Sequence, residues 1–137
     1  MKIEKYQLDL INYRREKAFE TLRHIEVLID QKMLAIAMNR IYYAGFYIVN
    51  ALSLLDQQNF SKHQGLIGYF NRTYLRNNLI NRDIGKILND SFERRNAADY
   101  HDYVFVNKTE VKTYYRQMKK FVKIVDDVIK KKLDASL

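Results

Sequence analysis

Apolar residues recur at helical spacing through most of the chain, and the recurrence predicts five helices. Tyr6, Leu10, Tyr13, Ala18, Leu22, Ile25 and Ile29 fall on one stripe with charges between them, predicting an amphipathic helix from about Leu8 to Gln31. A second helix runs from about Met33 to Gln57 and is apolar on more than one side, as a central helix should be. Gln57-Gln58-Asn59-Phe60-Ser61 breaks the pattern, and Ser61 is placed to cap a third helix over about Lys62 to Arg76, with Leu66, Phe70 and Tyr74 on one stripe. Asn77-Asn78 and Asn81 mark the next turn. A fourth helix starts near Arg82 and carries Ile84, Ile87, Leu88 and Phe92. It ends near Asp102, because Tyr103-Val104-Phe105-Val106-Asn107 loses the period. Thr109 opens a last helix to about Leu133, with Val111, Tyr115, Met118, Val122, Val125 and Ile129 inward. Five helices with short links imply an all-α fold: an antiparallel up-and-down bundle in a single domain over residues 1–137.

Composition agrees. Proline is absent and glycine occurs four times, too few breakers for a turn-rich β fold. The absence of cysteine removes disulfides, thiolate nucleophiles and cysteine zinc sites. Met1 to Leu10 carries charge and lacks the apolar core of a signal peptide. The longest mainly apolar stretch, Met33 to Leu55, is broken by Asn39, Arg40, Asn50 and Ser53, whereas a membrane span needs about 20 apolar residues. No membrane association is expected, and the cytoplasm is the expected location. A net charge of +8 would attract a polyanion such as RNA or a nucleotide. The 11 tyrosines suit either base stacking or the edges of a helical core. Lys119-Lys120, Lys123 and Lys130-Lys131-Lys132 suit either an RNA backbone or the solvated face of the last helix.

Candidate chemistry is sparse. The histidines are His24, His63 and His101; no pair stands at i,i+4, and no glycine-rich phosphate loop occurs, so neither metal nor cofactor is expected. The densest polar cluster, Glu93 to Tyr103, contains Arg94, Arg95, Asn96 and His101. An arginine can grip a phosphate bidentately and stabilise developing charge. A histidine transfers protons near neutrality. With a polar neighbour, such groups could cleave RNA without metal, the 2′-hydroxyl acting as nucleophile. The competing reading makes Arg95 and Asp99 a surface i,i+4 pair and His101 a helix C-terminal residue favoured by the dipole. On an unbroken helix Arg95 and His101 would stand about 120° apart, whereas Arg94 and His101 would share a face. Either Arg94 is the partner, or the helix loosens and turns His101 back.

Three segments carry a resemblance. Asn39-Arg40-Ile41-Tyr42-Tyr43-Ala44-Gly45-Phe46 resembles the R-x-YYA-x-F signature on the second helix of HEPN proteins. Lys62-His63-Gln64-Gly65-Leu66 is similar to the start of their third helix, and Arg95-Asn96-Ala97-Ala98-Asp99-Tyr100 to the R-x-x-ADY end of their fourth. The segments keep the family's order and spacing over roughly Met33 to Lys130. The resemblance implies a small helical bundle, usually a homodimer, often a ribonuclease and sometimes a toxin paired with a minimal nucleotidyltransferase antitoxin. It implies Arg95 as phosphate binder, His101 as acid or base and Asn96 as a positioning group, at a cleft between two subunits. By the resemblance Arg95 is preferred over Arg94. His101-Asp102-Tyr103 resembles the histidine-x-tyrosine of some toxins, which makes Tyr103 a candidate acceptor of AMP from the antitoxin. Arg94, His63 and Lys62 are candidate nucleotide or RNA contacts. His63 reads more readily as a helix N-terminal residue bonded to the preceding turn, and Tyr42, Tyr43 and Tyr47 as core or dimer packing. Members with this pattern that lack the histidine imply the alternative, a non-catalytic nucleotide-binding or partner-docking module.

Overall fold

The computed structural model describes residues 3–100 and 105–136, the Tyr100 side chain aside. Its helices are α1 (Lys5–Asp30), α2 (Leu34–Leu55), α3 (His63–Phe70), α4 (Arg82–Tyr100) and α5 (Lys108–Ala135), and α3 continues into a π-helical turn over Asn71–Leu75. The fold is all-α, and among the described residues there is no strand. No described helix is long and apolar enough to cross a membrane.

The bundle forms around α2. Ala37, Met38, Ile41, Tyr42, Ala44, Ile48, Val49, Ala51 and Leu52 are all buried, so this helix meets protein on nearly every side. It packs against α1, α3, α4 and α5. Gly45 permits the closest approach: a Cβ there would stand 2.9 Å from Met118 Sδ on α5 and 3.0 Å from Leu88 Cδ1 on α4. Ile11, Ala18, Leu22, Ile25 and Ile29 form the buried face of α1. Tyr6 and Tyr13, expected on that stripe, are 78% and 52% exposed. They lie five residues before and two after Ile11, about 140–160° around the axis from the face that Ile11 sets. Tyr115 is half-buried rather than inward, and its hydroxyl donates to Glu26 at 3.2 Å.

Helix ends follow local chemistry. Asn107, not Thr109, caps α5: its side chain accepts from the Glu110 amide at 2.8 Å. Asn81 accepts from the Asp83 amide at 2.8 Å at the start of α4. Ser61 does not cap α3, whose N-cap is Lys62 and carries no side-chain cap bond. The C-terminal end of α4 is described as far as Tyr100; the expected termination near Asp102 lies outside the described residues, as do His101 and Tyr103.

The π-helical turn was not foreseen, and it has a clear structural consequence. Its backbone closes i→i+5, with the Arg76 amide donating to the Asn71 carbonyl at 2.9 Å. Five residues apart on an α-helix diverge by about 140°. The wider turn instead lets Tyr69 and Tyr74 both donate to Asp56 Oδ2, each at 2.5 Å. Lys132 Nζ from α5 completes the clamp on Asp56 Oδ1 at 2.6 Å. Burial, reinforced by Asp56, holds the Tyr74 phenol up at about 12. Since the folded phenol stays protonated longer than the unfolded one, its stabilisation is full below the ordinary tyrosine range near 10 and is lost as pH rises towards 12.

Asp56→Ala leaves two buried hydroxyls unpartnered, each costing about 1–3 kcal/mol. Denaturant titration of this variant is expected to show a loss of about 3 kcal/mol, and a loss below about 0.5 kcal/mol would mean that the clamp is dispensable.

Candidate functional site

The C-terminal half of α4 carries two adjacent arginines with different surroundings. Arg94 turns to α5 and the segment before it: its guanidinium engages Glu110 through Nε and donates from Nη2 to Glu110 Oε2 at 3.0 Å and to the Phe105 carbonyl at 2.9 Å. The bond to Glu110, set against some loss of hydration, raises the Arg94 pKa further. Its donors are spent on structure.

Arg95, one residue on, turns about 100° away towards α2. It is 6% exposed. Its guanidinium carbon sits 4.9 Å from the Tyr42 ring centroid, 5.6 Å from Tyr43 and 5.5 Å from Phe92. Rings offer their negative faces to the cation, offsetting part of its desolvation. The acidic partner on its own helix, Asp99, stands at a long 3.8 Å and also accepts from Asn39 at 3.0 Å. The Arg95 Nε is buried and has no hydrogen-bond partner among the described residues. A cation so enclosed and so incompletely paired is unusual, because each unmet buried donor costs about 1–3 kcal/mol.

His63 opens α3 beside this cation. Its Nδ1 lies 2.7 Å from the Tyr42 hydroxyl, and its ring packs against Phe46 at 4.6 Å and Tyr43 at 5.6 Å. Burial first, and then the Arg95 charge, lower its pKa. Burial likewise raises the Tyr42 phenol, and Arg95 offsets only part of that rise. At neutral pH the tyrosine therefore keeps its proton and the imidazole is neutral. With the phenol protonated and the imidazole neutral, one hydrogen bond joins the Tyr42 hydroxyl to His63 Nδ1 and leaves Nε2 free of it.

Of the residues singled out from sequence, Arg95 and His63 come together. Asn96 follows Arg95 and is half-buried, Lys62 is exposed at the α3 N-cap, and Arg94 faces elsewhere. His101 and Tyr103 lie outside the described residues. Tyr42, Asn39 and Asp99 join the site without having been assigned to it. The available signal was their spacing: Asn39, Tyr42, Tyr43 and Phe46 recur at i, i+3, i+4 and i+7, one face of a helix. Among the described residues no cluster of histidine, aspartate and glutamate gathers to hold a metal.

With α2, α3 and α4 converging in this way, a family comparison becomes decisive: the HEPN domain model matches residues 11–129, which spans all five helices. The chain belongs to the HEPN family. Its HEPN relatives include a UPF0332 protein of Thermotoga maritima, 37% identical over 120 residues, covering 88% of this chain and 91% of the relative. Two Methanocaldococcus jannaschii proteins whose printed names read "putative toxin" are also similar. One is 32% identical over 95 residues (69% of this chain, 65% of the relative) and the other 34% over 85 residues (62% and 63%).

The lowered His63 pKa has a measurable consequence. A folded pKa below the unfolded one means a stabilisation present above about 6.5 and lost as pH falls below it. Imidazole proton NMR is expected to place His63 below 6.5, moving back up in Arg95→Met; a value unchanged by that substitution would mean that Arg95 exerts no field on the ring.

Proposed function

We propose that this HEPN protein is an endoribonuclease, the toxin of a toxin–antitoxin pair, which cleaves RNA without metal at a site built on Arg95 and His101. The observation that carries the reading is Arg95: a cation enclosed by aromatic rings, its carboxylate partner at 3.8 Å, with a buried Nε that has no hydrogen-bond partner among the described residues. Such a guanidinium is pre-positioned to hold an anion and stabilises charge strongly in its low-dielectric surroundings.

In this reading the substrate 2′-hydroxyl attacks phosphorus, the P–O2′ bond forms and the P–O5′ bond breaks. The proton leaving the 2′-hydroxyl and the proton arriving at the 5′-oxygen pass through His101 and its surroundings. Arg95 holds the phosphoryl oxygens, Asn96 positions them, and the neutral His63 imidazole is a further contact. Lys62 at the α3 N-terminus is an outer contact to the backbone. The occupied donors of Arg94 favour Arg95 as the phosphate group. The protein acts as a homodimer with the two sites across a shared cleft. A nucleotidyltransferase antitoxin silences it, with Tyr103 as the acceptor of AMP.

One observation favours a second reading. Arg95 is so deeply enclosed that it also suits a non-catalytic module whose site docks a nucleotide or a partner without turnover.

Purified protein incubated with total RNA and tRNA in EDTA separates the two. Cleavage is expected, falling by about a hundredfold or more in His101→Ala. Arg95→Lys keeps the charge but loses the planar fork, and is expected to lose a comparable amount while retaining the wild-type melting profile. Folded wild-type protein that does not cleave, or equal cleavage by all three proteins, would sink the catalytic reading in favour of the docking module.

A further inference from the structure

The Arg95 cage is one end of a longer arrangement. Lys17 Nζ on α1 lies 5.6 Å from the exposed Tyr13 ring and 5.3 Å from Tyr47 on α2. The Tyr47 hydroxyl accepts from Arg40 Nη2 at 3.3 Å, and the Arg40 guanidinium lies 5.0 Å from the Tyr43 ring. Tyr43 in turn is 5.6 Å from Arg95. Cations and rings therefore alternate without a gap from Tyr13, across the α1–α2 seam, to the candidate site. Alongside runs an open groove of about 510 Å³ with Lys17, His24 and Arg40 at its polar wall, Val27, Leu28 and Ile36 at its apolar one, and Glu20 as the one acidic residue of its lining.

Lys17, Arg40 and Arg95 each lie beside a tyrosine ring of α2, Tyr47 for the first and Tyr43 for the other two. On the last helix the cation–ring contacts are separate pairs, Lys119 lying 4.9 Å from the Tyr115 ring and Lys132 5.4 Å from Tyr74, and they do not link into a run among the described residues. Lys123 pairs with Asp127 at 3.9 Å, Lys130 with Asp126 at 3.5 Å and Lys132 with Asp56 at 2.6 Å, so these three cations are answered internally.

We propose that the alternating rings and cations of the α1–α2 face form the track along which single-stranded RNA is led to the Arg95 site. Arg40 and Lys17 meet the phosphates. Tyr13, Tyr43, Tyr47 and the guanidinium planes stacked on them provide platforms for unpaired bases, a mode that tolerates any sequence. Duplex RNA keeps its bases stacked within the helix and gains none of these platforms. The proposal rests on the RNA reading of the site, but not on catalysis.

The test uses full-length protein and a single-stranded, 2′-O-methyl oligoribonucleotide of about ten nucleotides, which lacks the nucleophile and stays intact. Fluorescence anisotropy is expected to show affinity about tenfold weaker in Tyr47→Ala and Arg40→Gln, and within about twofold of wild type in Tyr47→Phe, which keeps the ring. Lys17→Gln is expected to reduce the logarithmic salt slope by about 0.7. Thermal unfolding confirms that each variant is folded, and Lys17→Gln, on a side chain at the surface, carries the test if Tyr47→Ala fails to fold. Unchanged affinity and salt slope in every variant overturn the proposal. So does a loss of self-association with RNA binding intact, which would make the face an interface between copies. Cleavage of unmodified RNA is followed in parallel. Track-dependent binding without cleavage removes the nuclease and leaves the track; cleavage with binding indifferent to these residues removes the track and leaves the nuclease.

Discussion

A helix surrounded by protein has no water with which to satisfy its polar side chains, so each must find a partner on a neighbouring element or be left at a cost. α2 imposes this constraint on the whole bundle. Near its start Asn39 bonds Asp99 on α4 and Tyr42 meets His63 on α3. Just past its end Asp56 gathers Tyr69, Tyr74 and Lys132 from the α3 extension and from α5. Between these poles the helix is mainly apolar or small, with Asn50 as a buried polar exception, and Gly45 lets α4 and α5 close upon it. The two polar poles are about 20 Å apart along one axis, and the elements they recruit are the elements that make the bundle.

The poles differ in completeness. At Asp56 both carboxylate oxygens are engaged, and the π-helical turn exists in a form that delivers two tyrosines to one of them. That pole is a clamp. At Arg95 the cation is enclosed by rings, its carboxylate is distant and shared, and a donor is unmet among the described residues. Electrostatics of this kind remain open to an incoming anion, and the cost of leaving them open is carried by the packing elsewhere. The adjacent Arg94 shows the contrast within one helical step. Engaged by Glu110 and a backbone carbonyl, it fastens α4 to α5 and has little to offer a ligand.

Surface charge is likewise distributed by context rather than by number. The lysines of α5 look in sequence like the obvious polyanion track, yet several lie beside carboxylates one turn away or across the bundle. The cations of the α1–α2 face, Lys17 and Arg40, lie on tyrosine rings that succeed one another along one seam, which leaves their charge available to a phosphate while holding them in place.

Much was legible before any coordinates. Helical periodicity, scarce glycine and absent proline determine an all-α bundle, because only a 3.6-residue repeat places Ile11, Ala18, Leu22 and Ile25 on one side. The HEPN resemblance picked out Arg95 and His63 through motifs that do lie on α4 and α3. Periodicity could not decide which of two overlapping stripes on α1 is inward, so Tyr6 and Tyr13 were misplaced; α2 selects the stripe by what it can bury. Nor could it foresee the π-helical turn, because a single widened turn depends on Asp56, distant in sequence, asking for both tyrosines. The choice between Arg94 and Arg95 was equally a tertiary one. Two neighbouring residues with the same charge are chemically equivalent in sequence, and only the direction in which α4 presents each, to Glu110 or to the rings of α2, makes one a fastening and the other the core of a candidate site.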